Sequence, residues 1–189
     1  MYVKSELRKH FRQKRKNISD KNNKDCLICQ TILRSDLFVN ASQILCYYPL
    51  GDEINTLPVI DAALKCGKKT ALPYCMDDNG NMEFYYITSR NDLKTGSFGI
   101  MEPDLSVCKK VCDFSSSLCI VPAFSFDRNG FRLGYGKGYY DRFLKKFTFN
   151  SIGLCYNNFL SDSLPVDHFD VAVKYIATED KITLCKEDK

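Results

Sequence analysis

The chain has 189 residues, 44% of them hydrophobic, so residues 1–189 are expected to form a single domain with a sizeable core. A net charge of +4 suits anionic small molecules but is too small by itself to argue for nucleic acid. The start has no apolar signal-like region and no apolar run approaches the ~18 residues needed to cross a bilayer, so a cytosolic protein is expected, whose ten cysteines are buried core thiols rather than disulfides.

Residues 3–16 read as a helix, with Leu7 and Phe11 one turn apart on an apolar side. Lys4, Arg8, Lys9, Arg12, Lys14, Arg15 and Lys16 make the rest basic. Lys4 and Arg8 stand four apart and project from one face, where they could grip one phosphate together. A solvated basic face and a nucleic-acid arm stay open as alternatives. A second helix is expected from about Asp20 to Asp36, with Cys26, Cys29, Leu33 and Leu37 spaced as a buried stripe. Read instead as half a zinc site or a redox pair, Cys26-x-x-Cys29 lacks a second pair at finger spacing, and the only histidines are His10 and His168.

A strand over 43–48 is ended by Pro49. Thr56 then caps a helix that includes Val59, Ile60, Ala63 and Leu64 and stops near Gly67. Glu53 falls on this strand-to-helix loop, where α/β sheets place binding residues, although a single loop acid can equally be only solvated. Strands over 69–73 and 82–87 flank the turn Asp78-Asn79-Gly80 and read as a hairpin. In 96–103, Pro103 rules out helix continuation, and Glu102 either binds something or holds the loop. Further strands are expected at 118–122, 152–156 and 175–177. Strands alternating with helices argue for an α/β protein, a three-layer αβα domain with a mainly parallel sheet and one β-hairpin.

The chemistry concentrates in Gly130-Phe131-Arg132-Leu133-Gly134-Tyr135-Gly136-Lys137-Gly138-Tyr139-Tyr140-Asp141-Arg142. Glycines at 134, 136 and 138 allow positive φ and close approach of a ligand to the backbone. The apolar strand at 118–121 leads in and a helix over 139–146 leads out, so amides and the positive end of the helix dipole converge on one spot suited to phosphate. Arg132 can fork onto two oxygens, and Lys137 adds a point charge. The spelling excludes a P-loop, which would need glycine where Phe131 stands, and a dinucleotide fingerprint, which would need glycine where Tyr139 stands.

This stretch, Gly-x-Arg-Leu-Gly-x-Gly-x-Gly-Tyr-Tyr-Asp, resembles the signature of the 5-formyltetrahydrofolate cyclo-ligases, also called 5,10-methenyltetrahydrofolate synthetases. Matching elements run in family order from Lys4 to Glu179, including Lys4-x-x-x-Arg8, Glu53-x-x-Thr56 and Gly99-Ile100-x-Glu102-Pro103. The resemblance implies ATP as co-substrate, Mg2+ as cofactor, and 5-formyltetrahydrofolate, with or without a polyglutamate tail, as the small-molecule substrate. It implies a nucleotide site of Lys4, Arg8, Arg132, Leu133, Gly134, Tyr135, Gly136, Lys137, Gly138, Tyr139 and Tyr140, with Lys137 and Arg132 acting on the transferring phosphoryl group. Tyr48 and Glu53 would contact folate together with Tyr139 or Tyr140, and Asp141 and Asp170 would hold the metal. A cytoplasmic monomer without nucleic-acid or membrane partners is expected. The rival readings are another ATP-dependent enzyme on the same loop and a non-catalytic folate- or RNA-binding protein. Ala123, where glycine is frequent, and Tyr135, at a variable position, bear on pocket shape rather than reaction type.

Overall fold

The computed structural model describes residues 3–77, 80–96 and 99–186. It begins with α1 (Lys4–Lys16), α2 (Lys21–Leu33) and α3 (Asp36–Asn40), followed by β1 (Gln43–Leu45), α4 (Leu57–Lys65), β2 (Lys69–Cys75) and β3 (Met82–Ile87). Three short strands follow: β4 (Leu93–Thr95), β5 (Met101–Pro103) and β6 (Lys109–Lys110). Next come β7 (Ser117–Val121), β8 (Ser125–Asp127), β9 (Arg132–Leu133) and α5 (Tyr139–Lys146), and then β10 (Asn150–Leu154), β11 (Leu160–Ser161), β12 (Tyr175–Ala177) and β13 (Ile182–Leu184).

Eight strands make the main sheet in the order β13-β12-β10-β7-β1-β2-β3-β6. Its centre, β12 to β2, is parallel, and antiparallel strands finish both edges. Parallel strands are covered on both faces and so need unbroken apolar runs. Leu118, Cys119, Ile120 and Val121 in β7 meet that need and are fully buried, beside Ile44 and Leu45 of β1. Helices α2 and α4 pack on each other through faces that bury Ile28 and Ile32, and Val59, Ile60 and Ala63. Helix α5 lies near β3, and its Phe143 packs on Phe84, 4.7 Å between ring centres. The mainly parallel α/β sheet with flanking helices and the β2–β3 hairpin is the arrangement expected from sequence. From β1 the chain goes to β2 on one side and later to β7 on the other, so the strand order reverses at β1. Ligands of such sheets bind in the crevice beyond the carboxyl ends of the strands at that reversal.

Several local expectations are corrected. The helix expected over 20–36 stops at Leu33. Ser35 donates to the Ile32 carbonyl (2.6 Å) and accepts the Phe38 amide (3.2 Å), so one hydroxyl closes α2 and opens α3. The buried face of α2 is Asp25, Ile28, Cys29 and Ile32 rather than the stripe through Cys26, Leu33 and Leu37; Cys26 is exposed. Cys29 faces inward, burial pushing its thiol up to about 12, and Cys66 and Cys112 are also exposed, so not every cysteine is a core residue.

The strand expected over 43–48 runs only to Leu45; the Cys46 amide gives one last bond to the Ala71 carbonyl (3.0 Å), and the Tyr47 carbonyl then turns to accept the Thr56 hydroxyl (2.7 Å). Thr56 therefore does not cap α4 with its side chain; Asn55 Oδ1 accepts the Leu57 amide instead (3.1 Å). Gly67, at φ +69°, ends α4 as expected. Residues 78 and 79 of the expected hairpin turn lie outside the described residues. Glu102 is buried in β5 and its carboxylate lies against Gly96, where a Cβ would come within 1.9 Å of Oε2, which fits a loop-holding role.

Candidate functional site

The glycine stretch does not leave the main sheet directly. Between β7 and the glycines the chain makes an extra hairpin, β8–β9, paired with β11 in a separate three-stranded sheet. Buried Asp127 shapes the turn: Oδ1 accepts the Asn129 and Phe131 amides, both at 3.0 Å, and Oδ2 accepts the Leu164 amide. Gly130 closes it at φ +90°, where a Cβ would stand 2.3 Å from the Val173 carbonyl. The loop thus leaves from the end of this small three-stranded sheet before α5 begins.

Within the loop, Gly136 (φ +104°) and Gly138 (φ +70°) adopt the positive φ anticipated for all three glycines, and Gly138 is the N-cap of α5. Gly134 does not; its carbonyl accepts Arg8 Nε at 2.8 Å. A Cβ on Gly136 would meet the Arg8 guanidinium at 3.3 Å, so the missing side chain lets α1 lie flush on the loop. Lys4, one turn earlier, bonds Asp170 (2.5 Å) and Asp167 (2.7 Å). Burial pulls the Lys4 ammonium down, but the two carboxylates more than offset this, leaving its pKa raised. Two cations at the chain start thereby meet a loop 126 positions later and a second loop 166 positions later.

Arg132 departs from the expected loop cation. It lies in β9, buried, with Nη1 donating to the Val171 carbonyl and Nη2 to Asp141 Oδ1, both at 2.6 Å. Burial lowers its pKa, opposed by Asp141 and Asp170 nearby. Both ends of the fork therefore face protein. Asp141 Oδ1 also accepts the Val171 amide (3.1 Å), which brings Asp141 and Asp170 to the same corner. Asp170 Oδ2 accepts Lys4 and the Asp167 amide (2.8 Å). Among the described residues the second oxygen of each carboxylate accepts no hydrogen bond, and no cluster of three or more acidic, cysteine or histidine side chains could hold a metal by itself.

The paired tyrosines separate. Tyr139 donates to the Asp77 carbonyl at 2.7 Å, tying α5 to the β2–β3 connection. Tyr140 turns inward: its hydroxyl is buried without a partner among the described residues, near Cys46, Glu53, Cys75 and Cys119, and burial pushes its pKa well above the ordinary value. Lys137 is exposed at the loop tip, its carbonyl held by Arg142 Nη1 (2.7 Å), and its charge is felt at the Cys75 thiol.

Across the crevice, the loop between β1 and α4 carries half-buried Tyr48 and buried Glu53. Glu53 Oε2 accepts the Leu50 amide at 2.8 Å, and Lys21 donates to its main-chain carbonyl (2.7 Å). Burial raises the Glu53 pKa against the pull of hydrogen bonds from Tyr135 and Leu50. Asp25 braces the loop from α2, accepting Lys21, the Asn55 amide and the Tyr156 hydroxyl (2.5 Å).

Arg15 adjoins the candidate site through Tyr135 and was not singled out by sequence, which grouped it with the basic residues of the first helix. It is 4% exposed, its guanidinium 5.0 Å above the Phe124 ring, donating to the Ala123 carbonyl and the Tyr135 hydroxyl. The signal was available: Lys4, Arg8, Phe11 and Arg15 are spaced four, three and four apart, one face of one helix.

A sequence profile of the 5-formyltetrahydrofolate cyclo-ligase family matches residues 1–179. The mouse 5-formyltetrahydrofolate cyclo-ligase is 25% identical over 187 residues, covering 92% of each chain. The Haemophilus influenzae enzyme of that name is 30% identical over 135 residues, 69% of this chain and 72% of that one. The NMR structure of Aquifex aeolicus 5,10-methenyltetrahydrofolate synthetase superposes with a TM-score of 0.85 at 30% identity, covering all of this chain and 95% of the other. With the profile spanning nearly the whole length and the fold matching throughout, this chain belongs to the 5-formyltetrahydrofolate cyclo-ligase family of enzymes.

Proposed function

We propose that this protein uses ATP to close 5-formyltetrahydrofolate to 5,10-methenyltetrahydrofolate, releasing ADP and phosphate. The observation that carries the reading is the meeting of Arg8 with the 134–138 loop at the start of α5, with Lys4 on the same helix face bound to Asp170 and Glu53 across the crevice. Amides at a helix N-terminus and nearby cations suit a triphosphate, and the buried acid opposite suits the N–H donors of a pterin.

The formamide oxygen is a poor leaving group. Its attack on the γ-phosphorus breaks the bond to the bridging oxygen, and ADP departs. N10 then attacks the activated carbon and loses its proton; the carbon–oxygen bond breaks with its electrons going to phosphate, leaving the methenyl cation. Phosphoryl transfer asks a protein chiefly for positioning and charge stabilisation. In this reading Lys137 follows the charge on the transferring group while Arg8 and the loop amides hold the phosphates. Arg132 is moved from phosphate fork to anchor: it aims Asp141 and ties β9 to the segment around Val171. Of the two tyrosines, Tyr140 is the one that lines the folate pocket, because its buried hydroxyl has a bond to give.

Asp141 and Asp170 would suit magnesium, since each keeps one carboxylate oxygen without a hydrogen bond among the described residues and the ion accepts two such oxygens completed by phosphate oxygens and water. When bound there it would neutralise charge on the phosphates. Three of the cations on α1, Lys4, Arg8 and Arg15, are engaged inward, which supports a small-molecule enzyme over a nucleic-acid arm. No helix among the described residues is long and apolar enough to cross a membrane. A cytoplasmic monomer completes the proposal. Incubating the protein with 5-formyltetrahydrofolate, ATP and magnesium should raise the absorbance of the methenyl product; a flat trace from folded protein overturns the reading.

A further inference from the structure

Tyr135 occupies an unusual place. Its main chain lies between Gly134 and Gly136 in the phosphate loop, yet its side chain reaches the opposite side of the crevice. The hydroxyl accepts Arg15 Nη1 at 3.2 Å and lies beside the buried Glu53 carboxyl, whose ionised form it favours. The ring packs on Phe124, 4.6 Å between centres, and the Arg15 guanidinium lies over that same Phe124 ring. Arg15 is fixed in turn by the Ala123 carbonyl just beyond β7 (2.5 Å), and its Nε is buried without a partner among the described residues. A phenol has one proton to donate and lone pairs to accept with; here it accepts from a cation and has its proton for a carboxylate. Tyr135 shares its main chain with the loop between two glycines, so a triphosphate that shifted the loop backbone would also shift this hydroxyl.

We propose that Tyr135, held by Arg15, is a positioning residue that couples nucleotide binding in the 134–138 loop to the orientation of Glu53 in the folate pocket. The inference rests on the activity proposed above and adds a means by which each substrate improves the site for the other. Such coupling is reciprocal: a nucleotide that tightens folate binding by some factor is itself tightened by folate by the same factor.

The test measures equilibrium binding of 5-formyltetrahydrofolate to the full chain with and without a saturating non-hydrolysable ATP analogue and magnesium, and the converse titration. In the wild-type protein each ligand should tighten the other by about tenfold. Tyr135→Phe keeps the ring on Phe124 but removes the hydroxyl; the mutual enhancement should fall below about twofold, whatever happens to each affinity measured alone. In turnover, the KM for folate measured at saturating ATP should rise more than kcat falls. Arg15→Lys should leave an enhancement between those of wild type and Tyr135→Phe, a graded response that a purely structural role does not produce. Enhancement retained in Tyr135→Phe overturns the proposal. Wild-type protein that binds both ligands without mutual enhancement overturns it while leaving the activity standing. Wild-type protein that binds neither overturns the activity, and this inference with it.

Discussion

The two walls of the crevice are built on different principles. The wall proposed to hold phosphate is mostly main chain: a loop with two glycines at positive φ, the start of α5, and Arg8 arriving from α1. The wall proposed to hold the pterin is mostly buried side chain: Glu53 under Leu50, Tyr140 with a hydroxyl that has no partner among the described residues, and Asp25 bracing the loop from behind. A main-chain site makes little demand on burial, because its donors exist in every peptide and solvent can reach them. A side-chain site holds polar groups out of water before its ligand arrives, and that costs stability. Substitutions on the two walls should therefore differ in kind, with rate or affinity lost on the first and stability gained alongside lost affinity on the second.

The largest expected effect is on the phosphate wall. Lys137→Ala should lower kcat by about 10²–10³ while folate affinity changes little, and comparable losses in both would remove its role in phosphoryl transfer. Asp141→Asn should raise the magnesium concentration needed for half-maximal rate by about 10–100-fold; an unchanged magnesium titration would take Asp141 out of the metal site.

The pterin wall should respond the other way. Tyr140→Phe removes a buried hydroxyl that lacks a partner, so the ligand-free protein should melt higher while folate affinity falls about tenfold. Loss of both, or of neither, would place the hydroxyl outside the pocket. Glu53→Gln makes the smallest and most diagnostic change. Burial sets the folded-state pKa of Glu53 above its unfolded value, so its ionised form opposes folding at pH above the folded pKa. That cost disappears as pH falls through the folded pKa towards the unfolded one. The Gln variant should therefore melt about 2–4 °C higher than wild type at pH 8, with the gap closing near pH 4. A gap that widens on acidification would reverse the argument.

Several elements could be read from sequence because their signals are local. Helix α5 spans residues 139–146 as read from its spacing, β12 spans 175–177, and the apolar run of β7 announced a strand covered on both faces. Other features misled because a distant partner outcompeted a local preference. Thr56 has the identity of a helix cap but gives its hydroxyl to Tyr47; Arg132 looks like a loop cation but is consumed by Asp141 and Val171. Arg15 sat in a charge run whose average suggests solvent, although its spacing from Phe11 placed it on the buried side. The β8–β9 hairpin was missed because two- and three-residue strands leave too little periodicity to detect.

From the sequence alone came the α/β class, the glycine-rich stretch at 130–142 and the family it resembles, since each of these signals lies in a run of neighbouring residues. Tertiary structure alone decided which carboxylates share a corner, which tyrosine turns inward, and that Arg15 stands behind Tyr135. Those facts depend on the packing of α1 and the 167–171 segment against β9 and α5, and contacts between residues 30 to 166 positions apart are set by how the whole core closes, not by any local pattern.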